Sequence, residues 1–136
     1  MEIGVGIVDI HRFDDEIINN RPFIENIFTK DEISYCMAYA HPAQHLAVHF
    51  AAKMAVIKAV APLGFVPDMK DIEVTNKDSV IPMVKILTEE GEKFEFKISL
   101  SHSNSQVVAF VIAERSTKNL VFLDPPKKPG LNHFQG

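Results

Sequence analysis

The sequence predicts an α+β fold, with helices packed on a mostly antiparallel sheet, and three observations carry that prediction. Residues 3–10 are β-rich and contain two glycines, which suits a strand that starts the fold. After Pro42, the residues Leu46, Phe50, Met54 (or Lys53), Ile57 and Ala61 recur at helical spacing in an alanine-rich background. The second half breaks into short β-rich segments, 71–75, 80–87, 94–100 and 107–113, separated by polar or glycine-containing turns.

Taken in order, the polar stretch 14–20 reads as a short helix or loop, and the segment Phe23-Ile24-Glu25-Asn26-Ile27-Phe28 follows it. Thr29, with Glu32 three residues on, has the pattern of a capping box, so a helix is expected to begin there and run to about Ala40. Pro42 suits the first turn of the long helix, which is expected to end near Ala61-Pro62-Leu63-Gly64. Pro82 marks its strand as an edge strand or a bulged one. From Glu114 the chain turns polar and rich in proline and lysine, so residues 1–113 read as the domain. Residues 114–136 read as an extended tail, anchored by Leu120-Val121-Phe122-Leu123.

A chain of 136 residues with 46% hydrophobic and 24% charged residues suits one globular domain. Its formal net charge of −4 and scattered Lys and Arg argue against a nucleic-acid-binding surface. Cys36 is the single cysteine, so no internal disulfide or cysteine metal knuckle can form. No uninterrupted apolar run approaches ~18 residues, so no membrane span is expected. The N-terminus shows no charged leader pattern, and a cytoplasmic location is expected by default. Ten phenylalanines in so small a chain favour burial by self-association.

Three stretches together carry a family resemblance. The first is Gly4-Val5-Gly6-Ile7, leading through Val8-Asp9-Ile10-His11-Arg12-Phe13. The second is Ile27-Phe28-Thr29-Lys30-Asp31-Glu32, then Pro42-Ala43-Gln44-His45 and Phe50-Ala51-Ala52-Lys53-Met54-Ala55-Val56-Ile57-Lys58-Ala59. The third is Lys70-Asp71-Ile72-Glu73-Val74, then Ser99-Leu100-Ser101-His102-Ser103. From about residue 3 to residue 113 this order resembles the holo-acyl-carrier-protein synthases, the small trimeric type of the 4'-phosphopantetheinyl transferase superfamily.

The resemblance implies that fold, and transfer of phosphopantetheine from coenzyme A to a serine of an apo acyl carrier protein. It also implies a magnesium ion held by one acid from the first strand and one from the long helix, and a homotrimer with sites between subunits. Lys58, four residues after position 54, matches the lysine that faces the phosphates. His102, with Ser101 and Ser103, matches a turn on coenzyme A, and Lys53 is placed to meet phosphate. His49 stands where the family commonly has arginine. Arg12, Arg21, Lys30 and Lys53 are the cations expected to make a local patch for an acidic carrier protein.

The metal ligands depart from the pattern. Met54 occupies the helix-acid position, and a thioether is a poor partner for a hard cation. The first strand reads as if an Asp-Ile dipeptide were lost after Gly6-Ile7, leaving Asp9 as the metal ligand only if a bulge aims it at the site. Asp71 and Glu73 are the other acids that an altered metal site would recruit. After Lys58 the usual glycine-rich turn is replaced by Ala59-Val60-Ala61-Pro62-Leu63-Gly64. The alternative function is therefore a degenerate relative that binds coenzyme A or carrier protein, or that partners an active paralogue.

Overall fold

The computed structural model describes residues 1–75 and 82–116. Strand β1 (Glu2–Asp9) leads through a 3₁₀ turn (Ile10–Phe13) into α1 (Asp15–Ile18) and α2 (Arg21–Ile27). Then come α3 (Lys30–Met37) and the long α4 (Pro42–Val60), which runs on into a 3₁₀ turn (Ala61–Leu63). The second half holds β2 (Ile72–Thr75), β3 (Met83–Ile86), β4 (Phe94–His102) and β5 (Gln106–Arg115). All pairings are antiparallel: β1-β5-β4 form one sheet and β2-β3 a second. Helices on a mostly antiparallel sheet are the architecture expected from the sequence.

Local chemistry sets most of these boundaries. Asp14 and Asn20 cap α1 and α2 with their side chains. The Thr29–Glu32 capping box is present in full. However, α3 stops at Met37 rather than near Ala40, because the Ala38 N–H closes on Cys36 within a tighter last turn. β5 continues past the expected limit of 113 to Arg115, since Phe94 and Glu95 of β4 still pair with it there. Pro82 precedes β3, which is hydrogen-bonded only to β2 among the described residues, as suits an edge. The start of the 80–87 segment and most of the expected tail, including its Leu120–Leu123 anchor, lie outside the described residues.

β1 and α4 pack with unusual closeness. Ala47, Ala51, Ala55 and Ala59 put a small-residue stripe on α4, and each is wholly buried. Gly4 and Gly6 face that stripe, and a Cβ on either would overlap the carbonyl of Ala55 or Ala51. Around this seam Phe13 makes edge contacts with Phe28 and Phe50 at centroid distances of 5.9 and 5.5 Å. The segment Pro42–Leu63, of mean hydropathy 1.5, is long and apolar enough to cross a membrane, contrary to the expectation from uninterrupted runs. Its residues are nonetheless mostly buried against the sheets and α3, the position of a core helix.

Candidate functional site

The residues singled out by the sequence distribute along α4 and do not converge on one point. Lys58 lies exposed in the last turn of α4, with no carboxylate in ion-pairing range among the described residues. Met54, one turn back, is half-buried and packs against the core.

His102 lies at the other end, closing β4. The Gln44 amide donates to its Nε2 at 3.2 Å, and its Nδ1–H donates to the Ser103 carbonyl at 3.3 Å, so the neutral Nδ1–H tautomer fits both contacts. From Gln44 to Lys58, α4 rises about 21 Å. Within one chain, Lys58 and His102 therefore sit at opposite ends of a single helix.

Ser101 and Ser103 do not share His102's surroundings. Ser101 faces the outer side of the sheet opposite Val108, while His102 pairs with buried Val107 on the inner side. Ser103 organises the β4–β5 turn: its Oγ accepts from the N–H groups of Ser105 (3.2 Å) and Gln106 (3.1 Å).

The structure removes Lys53 and His49 from any exposed phosphate site. Lys53 is wholly buried and its three ammonium protons have partners: Glu32 Oε1 at 2.6 Å, the Met69 carbonyl at 2.9 Å and the Ile72 carbonyl. His49 is 3% exposed and its Nδ1–H donates to Glu32 Oε2 at 2.9 Å. Backbone N–H groups of Thr29 (2.9 Å) and Val74 (3.1 Å) complete the shell of the Glu32 carboxylate. Burial alone would raise the Glu32 pKa, but the His49 hydrogen bond and the Lys53 charge hold it below the ordinary carboxylate value. Burial pulls the Lys53 ammonium down, with Glu32 opposing. The expected helical periodicity allowed either Lys53 or Met54 on the core face; a buried charge partner decides for Lys53.

Asp9 is likewise placed elsewhere than expected. The β1–β5 register runs unbroken from Glu2↔Ala113 to Asp9↔Gln106, so no bulge turns its side chain inward. It stays exposed and its Oδ1 accepts from the His11 N–H at 2.9 Å, capping the next turn. The inner position beside it is Val8, which is 2% exposed. Glu73 accepts from the Thr29 hydroxyl at 2.8 Å. Among the described residues no group of three or more His, Cys, Asp or Glu side chains is disposed to hold a metal ion. Met54, Asp9 and Glu73, as placed, do not make a magnesium site.

Sequence reasoning passed over a ring cluster beside the α4 N-terminus. Tyr39 stacks on His45 at 3.7 Å between centroids, and the Tyr39 hydroxyl donates to that of Tyr35 at 3.1 Å. Burial, then the neighbouring imidazoles of His49 and His102, keep His45 below its ordinary pKa. Cys36, under this cluster, is pushed up to about 12 by burial and by the Glu32 charge, so it is no nucleophile.

Two further surfaces are notable. Arg21, Glu25, Phe28, Lys30, Ile33 and Ser34 line a cavity of about 410 Å³ between α2 and α3. On the outer face of the three-stranded sheet, Ile3 pairs with Ile112, Val5 with Phe110 and Ile7 with Val108. Ile3, Ile7 and Phe110 there are 55%, 57% and 50% exposed, a contiguous apolar patch.

Residues 2–111 match the family model described as the 4'-phosphopantetheinyl transferase superfamily. The holo-[acyl-carrier-protein] synthase of Cytophaga hutchinsonii is 37% identical over 123 residues, covering 84% of this chain and 97% of that protein. The enzyme of the same name from Thermodesulfovibrio yellowstonii is 39% identical over 112 residues, covering 81% and 95%. Among solved structures, the holo-(acyl-carrier-protein) synthase of Bacillus anthracis in complex with CoA (3',5'-ADP) superposes with a TM-score of 0.69. It is 30% identical to this chain and covers 85% of it, and 96% of that chain is matched.

Proposed function

Because the chain belongs to the 4'-phosphopantetheinyl transferase superfamily, we propose that it transfers 4'-phosphopantetheine from coenzyme A to a serine of an apo acyl carrier protein. The observation that carries this function is the match to holo-acyl-carrier-protein synthases over almost their whole length. In the reaction, the serine Oγ bonds to the β-phosphorus of coenzyme A. The bond from that phosphorus to the bridging oxygen breaks, and adenosine 3',5'-bisphosphate leaves with the electron pair. The serine proton passes to solvent or to a basic group at the site.

Lys58 is the exposed cation of α4, and its ammonium is suited to the charge that develops on the bridging oxygen. Removing one such donor typically slows transfer by roughly 10²–10³. His102, with Gln44 beside it, offers a second polar contact for the coenzyme. The ~21 Å of helix between the two favours a site completed by another copy, Lys58 from one and His102 from the next. The apolar outer face of the β1-β5-β4 sheet supports such an assembly, which we take to be a homotrimer. Arg21, paired with Glu25 at 3.3 Å, and Lys30 stand beside the α2–α3 cavity as the cations an acidic carrier protein would meet there, and Arg12 lies over the Phe50 ring at 5.0 Å. Lys53 is buried and drops out of that patch. We place this activity in the cytoplasm.

The test is intact mass spectrometry of an apo acyl carrier protein after incubation with this protein, coenzyme A and magnesium. A mass gain of one phosphopantetheine group, lost in Lys58→Ala, is the expected result. Met54 favours a second function, binding coenzyme A or carrier protein without transfer, alone or beside an active paralogue. No mass gain, with coenzyme A still bound in calorimetry, would select it and rule out transfer.

A further inference from the structure

We infer that this chain holds no divalent metal ion of its own, and that it meets the diphosphate of coenzyme A with the Lys58 side chain instead. The second half of that statement rests on the proposed binding of coenzyme A; the first does not. A protein-held magnesium ion takes one or two carboxylates, with substrate phosphates and waters completing its octahedron. Position 54, on the turn of α4 that precedes Lys58, offers a thioether instead of a carboxylate.

Three carboxylates near α4, those of Asp9, Glu32 and Glu73, are committed elsewhere. Asp9 points to the outer side of the sheet and caps its own turn. Glu32, the only buried carboxylate among the described residues, is surrounded by four donors: Lys53, His49 and two backbone N–H groups. Releasing one of its oxygens to a metal would strand Lys53 or His49 in the interior. Glu73 is engaged by Thr29.

Packing closes the remaining route. Gly4, Gly6 and Val8 are the buried residues on the inner face of β1, and they lie against α4; half-buried Glu2 opens that face opposite Ala113. At Gly6 even a Cβ would overlap the Ala51 carbonyl, so no carboxylate can be introduced there without moving strand from helix. At Val8 the side chain is buried and hydrocarbon. The cation expected to face the diphosphate is instead Lys58, which is exposed. A lysine is a point charge that needs no metal to bind phosphate oxygens.

Two measurements on the full chain test this. The first is electron paramagnetic resonance of Mn²⁺ titrated with the protein alone, where free aqueous Mn²⁺ gives the signal. The second is calorimetric titration of coenzyme A with magnesium present, and with magnesium removed by a chelator. The expected results are an unchanged Mn²⁺ signal and a coenzyme A dissociation constant that differs by less than ~3-fold between the two conditions.

Loss of the free Mn²⁺ signal at protein concentrations near the metal's own would overturn the inference. So would a gain of ~10-fold or more in coenzyme A affinity with magnesium. If coenzyme A binds in neither condition, the proposed function fails, while the Mn²⁺ titration still decides whether the protein holds a metal.

Discussion

Lys53→Met separates two roles for one lysine, an interior ion pair and a phosphate ligand, by what each role makes of the loss. The structure surrounds the ammonium with Glu32 and the carbonyls of Met69 and Ile72 at zero exposure. Methionine fills a similar volume but leaves the Glu32 charge with His49 and two backbone N–H groups only. Breaking a buried pair from one side costs about 3–5 kcal/mol, because the partner is left uncompensated. For a domain of this size that corresponds to a fall in melting temperature of roughly 10 °C or more.

Glu32→Gln should destabilise to a similar degree by stranding the lysine. The double variant Glu32→Gln/Lys53→Met removes both charges, so it should recover about 2–3 kcal/mol relative to the sum of the singles. Urea unfolding followed by circular dichroism measures this, with the midpoint moving and the slope unchanged. Additive single effects, or singles within about 0.5 kcal/mol of the parent, would refute the interior pair. Weakened coenzyme A binding with no change in stability would return Lys53 to the phosphates.

The Glu32 carboxyl titrates lower in the folded chain than its unperturbed value of 4.5, so its contribution is fully present above that value and is lost as pH falls through the folded pKa. Urea midpoints below pH 4.5 should therefore drop in the parent and drop less steeply in Glu32→Gln. Phe110→Lys puts a charge in the middle of the apolar sheet face, and light scattering should show a shift toward monomer with an unchanged circular dichroism spectrum; an unchanged oligomer would exclude that face as the interface.

Much of the fold was legible because its signals are local. Thr29 and Glu32 announced the start of α3, Pro42 the start of α4, and β-rich segments between turns the strands of the second half. The α3 end was misplaced because neither glycine nor asparagine marks it in the sequence. The candidate site was less legible, for a physical reason: side-chain roles there depend on partners far along the chain. Lys53 reads as a lysine placed to meet phosphate until Glu32, 21 residues earlier, arrives beside it. His49 was placed in the helix, and its burial against Glu32 was hidden for the same cause. Met54 and Asp9 were different, since a thioether and an off-register acid are visible without any structure; the unbroken β1–β5 pairing then removed the bulge that Asp9 needed.

The length of α4 between Lys58 and Gln44, the residue beside His102, turns a matter of geometry into one of dilution. If one coenzyme molecule touches both residues, the reacting unit is an encounter of chains, and its abundance follows a power of the protein concentration rather than the concentration itself. Specific activity would then decline as the protein is diluted below the dissociation constant of the assembly. In a cell, halving the amount of this chain would remove more than half of its working sites.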